Sequence, residues 1–214
     1  MSCCCPHSSS AGRYFSRFAG RYRRRFEKKG FEPTQRGLLE GIERVGFANA
    51  TLLEIGSGVG NLHQDLLKRG AASAVGVDLA RKMIDEAETL ARKHGLEDRT
   101  RYRVADFVEE ADTFDTADVV ILDKVICCYP DAKRIVDASA AKARRVYAYT
   151  IPVNRWYTRF VTALIAFGMR LFRSDFRPYV HDPEQIEAWL TAAGFAKQYE
   201  KQTLAWLARV HARS

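Results

Sequence analysis

Three glycines at alternate positions, flanked by acids, carry the first chemical signal in this sequence. They lie in Leu52-Leu-Glu-Ile-Gly-Ser-Gly-Val-Gly-Asn-Leu62, where an apolar run ends in Gly56, Gly58 and Gly60 and a helical pattern resumes at Asn61. Glycine permits a tight turn and a close approach of backbone amides to a ligand, and the start of the following helix favours negative charge. A dinucleotide loop reads G-x-G-x-x-G/A, and its third small residue would fall on Asn61. Glu54 sits just before the loop, where a pyrophosphate would meet repulsion. A carboxylate there suits a ligand that carries an ammonium group. Two more acids close the next two strand-like runs. Asp78 can accept from ribose hydroxyls, and Asp106 from an adenine amino group. A single aspartate at a strand end is as readily a cap or a turn, but three acids in register with a glycine loop are harder to explain that way.

These residues need a frame that brings strand ends together. Thr51–Ile55 reads as a strand, followed by the loop and a helix to about Arg69. Ala74–Val77, Arg101–Ala105, the apolar run within Ala117–Leu122, and Val146–Ile151 read as four more strands. Helical patterns separate most of them, at about 80–94 and 132–143. Such alternation implies a mainly parallel sheet covered on both faces, with Glu54, Asp78 and Asp106 lining one crevice at its C-terminal edge. After Pro152 the rhythm breaks. Residues 154–173 form one amphipathic helix rich in aromatics, another helix spans about 183–193, and Ala196–Tyr199 and Leu204–His211 close as an antiparallel pair. The expected fold is α/β, a Rossmann-like, doubly wound seven-stranded sheet with the last strand antiparallel, plus N-terminal helices and a helical lid insertion. Three segments follow: a disordered cysteine-containing tail (1–10), basic aromatic helices acting as a lid (11–46), and the main domain (47–214) with an insertion at about 152–180.

At this point the chain resembles the class I methyltransferases, which use S-adenosyl-L-methionine. LLEIGSGVGNL is similar to their first motif, VGVDLARKMIDEA to the second and RYRVADF to the third, while VVILDKVICCYPD is similar to the segment after the fourth strand. The likeness covers about residues 50–150. It implies a cofactor site of Glu54, Gly56, Ser57, Gly58, Gly60, Asn61, Asp78, Leu79, Met83, Asp106, Phe107, Asp123 and Lys124. Asp78 would bind ribose, Leu79 and Met83 flank the adenosine, and Asp106 with Phe107 hold adenine. Asp123 and Lys124 would lie beside the methionine part. A narrower likeness, in Tyr179-Val-His-Asp-Pro-Glu-Gln and Ala193-Gly-Phe, is to magnesium-protoporphyrin O-methyltransferases, although VICCYPD departs from their pattern. It suggests a small hydrophobic or carboxylate-bearing acceptor, with O-methylation favoured. Tyr129 and His181 are the candidate base and substrate-positioning groups. His181-Asp-Pro also fits a plain helix entry, with Asp182 capping and Pro183 in the first turn.

Composition narrows the alternatives. The 214 residues are 47% hydrophobic and 28% charged, the balance of a globular domain. Net charge is +8, and eight basic residues against Glu27 between Arg13 and Lys29 supply +7 of it. Tyr14, Phe18, Tyr22 and Phe26 recur every four residues there, which predicts one helix over 12–29. That helix is expected to cover the cofactor, with contact to an anionic membrane as the alternative. RNA is a minor alternative partner, and nucleic acid is otherwise not expected. Nothing reads as a secretory signal, and Phe160–Met169 is too short to span a bilayer, so a cytoplasmic enzyme, soluble or peripherally membrane-associated, is expected. Cys3, Cys4 and Cys5 lack the C-x₂₋₄-C spacing of structural zinc sites, so no metal is expected, with metalloid binding together with Cys127 and Cys128 left open. An NAD-type oxidoreductase is disfavoured by Glu54 and Asn61. A non-catalytic binding module is disfavoured by the intact acids.

Overall fold

The computed structural model describes residues 6–171 and 176–213. Seven strands form one sheet in the order β3-β2-β1-β4-β5-β7-β6. They are β1 (Thr51–Ile55), β2 (Ser73–Asp78), β3 (Thr100–Val104), β4 (Ala117–Asp123), β5 (Ala143–Pro152), β6 (Phe195–Gln202) and β7 (Trp206–Arg213). β1 to β5 run parallel, and β7 lies antiparallel between β5 and β6. The sheet has the expected architecture.

Apolar side chains alternate across β1 and β4 and feed two cores. Leu52, Val119 and Ile121 pack with Leu38 and Ile42 of α3 (Pro33–Val45) and with Leu62 and Leu66 of α4 (Asn61–Lys68). Leu53, Val120 and Leu122 pack on the other side with Ile135 of α6 (Ala132–Ala140) and Ile186 of α8 (Pro183–Ala192). α5 (Arg81–Lys93) links β2 to β3. A central strand buried on both faces has no polar side, which is why β4 reads as a continuous apolar run.

The N-terminal region departs from expectation. Pro6–Ser10 belongs to a helix, α1 (Pro6–Ser16), and not to a disordered tail. The single helix expected over 12–29 is two, because the chain turns at Arg17 and Phe18 before α2 (Ala19–Lys29). The turn seats Ala19, 3% exposed, against Ala80, Met83 and Leu90 at α5. Cys3, Cys4 and Cys5 lie outside the described residues. So do Phe172 and Arg173 at the end of the expected 154–173 helix, which is described as α7 (Trp156–Leu171).

Candidate active site

The loop after β1 turns through three glycines with positive φ: 65° at Gly56, 53° at Gly58 and 80° at Gly60. A side chain at Gly56 would also collide with Val125, so the loop needs glycine there both for its dihedrals and for space. The amide of Ser57 donates to Val77 O (3.0 Å), tying the loop to β2. The amide of Gly58 donates to one Asp78 carboxylate oxygen (2.8 Å), and that of Ala80 to the other (2.8 Å). Asp78 thus locks the loop against the start of α5. It keeps lone pairs for further donors, since a carboxylate offers about four acceptor positions. Burial raises its pKa to about 6, opposed by the two amide hydrogen bonds.

Glu54 is buried at the cavity floor. His63 donates its backbone N–H to Oε2 (3.2 Å), and His63 Nδ1 lies 2.5 Å from the same oxygen. His63 Nε2 sits 2.9 Å from the Tyr102 hydroxyl, which accepts from Gln64 Nε2 (3.0 Å). Burial pushes the Glu54 carboxyl above its ordinary range. Asp106, just beyond β3, accepts from the Val108 amide (3.1 Å) and from the Tyr129 hydroxyl. Asp123, at the end of β4, accepts from Gln35 Nε2 (2.8 Å) and the Thr150 hydroxyl (2.7 Å). Lys124 adopts φ 60° and pairs with Glu32, which also pairs with Arg25 at 2.8 Å. Burial pushes the Glu32 carboxyl up, but Lys124 and Arg25 outweigh it and hold the group below its ordinary range.

One cavity gathers these groups. Its lining includes Glu54, Gly56, Ser57, Gly58, Asn61, Asp78, Leu79, Met83, Asp106, Phe107, Asp123, Lys124 and Tyr129. Gly60 is not part of the lining; it shapes the loop as the N-cap of α4. His181 does not reach the cavity either. Its Nε2 lies 2.9 Å from the Tyr129 carbonyl, and its ring stacks on Tyr179 at 5.8 Å, so it braces the Tyr129 backbone. Its neighbour Asp182 caps α8 by accepting from the Glu184 amide (3.0 Å), which is the helix-entry reading of that motif. Among the described residues no group of three or more potential ligands could hold a metal ion.

Several lining residues escaped the sequence reading: Ala11, Phe15, Arg25, Glu32 and Gln35, whereas Val125 and Cys128 lie in the VVILDKVICCYPD segment it singled out. Phe15 is one position off the aromatic stripe, and Glu32 and Gln35 form a reciprocal capping box at the start of α3. Of the stripe itself, Tyr22 and Phe26 face the cavity, whereas Tyr14 stacks on Phe176 (5.5 Å). No described residue of α7 lines the cavity, whereas Ala11 and Phe15 of α1 and Tyr22, Arg25 and Phe26 of α2 do.

A glycine loop, acids at the ends of β1, β2 and just beyond β3, and a seven-stranded sheet with β7 reversed together define the class I, Rossmann-like methyltransferase fold. Residues 52–147 match the model of a methyltransferase domain family. It is 31% identical over 166 residues to a ubiquinone biosynthesis O-methyltransferase of Xylella fastidiosa, covering 71% of this chain and 63% of that protein. It is 29% identical over 155 residues to the enzyme of the same description from Hydrogenovibrio crunogenus, covering 68% and 62%. The chain thus spans less than two thirds of the length of these relatives. In fold it is similar to magnesium protoporphyrin IX methyltransferase from Synechocystis, solved with bound SAH (TM-score 0.74, 21% identity, 97% of this chain and 100% of that one). An O-methyltransferase family protein from Burkholderia thailandensis is also similar (TM-score 0.68, 19% identity, 84% and 56%).

Proposed function

We propose that this protein is an S-adenosylmethionine-dependent methyltransferase that O-methylates a small acceptor with an apolar body and an anionic oxygen. One observation carries the reading: a single cavity is walled on one side by the glycine loop with Glu54, Asp78 and Asp106. On the other side stand Phe15, Tyr22 and Phe26, with Arg25 and Lys124 beside them.

The residues fit the cofactor. The Ser57 hydroxyl is buried without a hydrogen-bond partner among the described residues and belongs to the cavity lining, and the loop leaves no room for a side chain at Gly56. Asp78, aligned by two amides, would hold the ribose hydroxyls. Asp106, held by Tyr129, would meet the adenine with Phe107, Leu79 and Met83 around it. Glu54, Asp123 and Lys124 would lie toward the amino-acid end. When bound, the cofactor supplies a methyl group already activated by a positive sulfur. The protein then has to align the acceptor and exclude water, which α1 and α2 do by closing the cavity.

Acceptor chemistry follows from the remaining groups that line the cavity. No histidine lines the cavity among the described residues, and the Tyr129 hydroxyl is engaged with Asp106. A carboxylate or an acidic phenol reacts without a general base, whereas an alcohol needs one. Arg25 and Lys124 would hold such an anionic oxygen in place of Glu32.

Calorimetric titration with S-adenosylmethionine and its demethylated product tests the cofactor half. Micromolar binding is expected for the wild type, and Asp78→Ala should abolish it. NADH binding in place of both would overturn the reading. Turnover of aromatic carboxylates and phenols, lost in Arg25→Ala with cofactor binding retained, tests the acceptor half.

A further inference from the structure

Surface helices ordinarily turn their polar side to water. α7 does the opposite. Its half-buried residues are Tyr157, Thr158, Thr162, Ala166, Gly168 and Met169, and its exposed stripe is Trp156, Phe160, Leu164 and Phe167. These four side chains are 79%, 66%, 61% and 61% exposed. Val161 and Ile165 widen the patch. Leu204 on the β6–β7 hairpin extends it at the start of the helix, where the Tyr157 hydroxyl donates to Leu204 O (2.7 Å). So broad an apolar face marks an interaction surface.

Charge selects the occupant. α7 contains no acidic residue, and helical spacing puts Arg159 and Arg170 on one flank of the stripe, with Arg155 just before the helix. All three are exposed, and none has an ion pair among the described residues. A second copy docked stripe to stripe would bring arginine flanks together without a carboxylate on either helix. An anionic lipid surface satisfies both halves at once: acyl chains take the rings and leucine, and headgroups take the guanidinium groups. No helix among the described residues is long and apolar enough to cross a membrane, so α7 would lie in the interface plane.

We propose that α7 docks this protein on anionic membrane, with Trp156, Phe160, Leu164 and Phe167 inserted among the lipids and Arg155, Arg159 and Arg170 at the headgroups. The contact expected of residues 12–29 is thereby moved to another helix, because Tyr22 and Phe26 face the cavity while Arg23 and Arg25 pair with Glu86 and Glu32. Docking through α7 also sets the site near the surface. The helix leaves β5 at the sheet edge that carries the cavity, and the cavity residue Lys124 lies 5.1 Å from the ring of Trp206 at the base of the same hairpin. The proposal does not depend on methyl transfer.

Co-sedimentation of the full chain with phosphatidylcholine vesicles, with and without phosphatidylglycerol, tests it. Binding is expected with phosphatidylglycerol and should weaken as salt rises. Phe160→Gln with Leu164→Gln should lower partitioning by about tenfold per side chain, given the apolar area each would bury. Arg159→Glu with Arg170→Glu should lose the preference for anionic vesicles, while Arg24→Glu on α2 should change little. Unaltered melting and cofactor binding show that each variant is folded. Absence of binding to anionic vesicles, or binding that survives the apolar substitutions, would overturn the proposal. So would loss in Arg24→Glu alone, or a dimer by light scattering that Phe160→Gln dissociates.

Discussion

α2 and α7 are both aromatic-rich, arginine-bearing helices added to the same sheet, yet they spend their apolar faces in opposite directions. α2 turns Tyr22 and Phe26 toward the cavity and packs Ala19 on α5, with Phe26 also against Phe31 (ring centroids 4.8 Å). α7 leaves its rings in water. The difference lies in what each helix meets. α1 and α2 approach the backbone of the site so closely that a side chain at Gly12 would come within 2.7 Å of Leu79 O. α7 lines none of that crevice, and among its described residues only Tyr157, Thr158, Thr162, Ala166, Gly168 and Met169 are half-buried. Amphipathicity alone therefore assigns no partner to a helix; the neighbour does.

Stability separates the two helices most widely. Phe15→Ser with Phe26→Ser should lower the unfolding free energy by about 2–4 kcal/mol in urea denaturation, since both rings are partly buried. Phe160→Ser with Phe167→Ser should stay within about 0.5 kcal/mol, and an equal loss would mean that α7 is docked on the protein. Cofactor affinity separates the N-terminal helices from α7 next. Gly12→Val should displace α1 and weaken S-adenosylmethionine binding by about tenfold, or about 1.4 kcal/mol, in calorimetry, whereas Gly168→Ala on α7, where the added methyl meets nothing within 4 Å, should leave it unchanged.

A smaller effect concerns pH. Hydroxyl donors favour the ionised form of Asp78, so cofactor affinity should be full above pH about 6 and fall a few-fold over the unit below. The same raised pKa acts oppositely on folding of the free protein. Its contribution is greatest below the ordinary aspartate range and is lost as the pH rises through about 6. An affinity flat from pH 5 to 7 would remove Asp78 from the binding site. The smallest effect expected is a few-fold rise in acceptor KM for Tyr22→Ala with kcat little changed, a signature of lost binding made equally in ground and transition states.

Much of the central frame was legible because it depends on local signals. β1 runs over Thr51–Ile55 as expected, since its apolar run ends at glycines that no strand accommodates. The glycine loop and the acids on β1, β2 and after β3 converge because parallel strands share one C-terminal edge. Tertiary choices were less visible. A period of four identifies an aromatic stripe but neither its break at Arg17–Phe18, set by the seat of Ala19 on α5, nor the side that the 156–171 stripe faces. Glu32 and Gln35 read locally as a capping box, and their reach to Lys124 and Asp123 spans 92 and 88 positions. His181 combined two signals, and the local one, helix entry at Asp182-Pro183, describes its surroundings.

The reversed strand has a consequence for how the protein is made. Among the described residues β7 is the last strand in chain order but lies inside the sheet, and β6 pairs with β7 alone. During synthesis β1 to β5 emerge first, leaving β5 with a bare edge, and β6 has no ladder to join until β7 follows it. A ribosome-bound chain stalled between residues 202 and 206 would therefore hold the complete C-terminal edge of the parallel strands beside an open, aggregation-prone edge at β5. The crevice is assembled early in translation, and protection of the sheet comes with its closing hairpin.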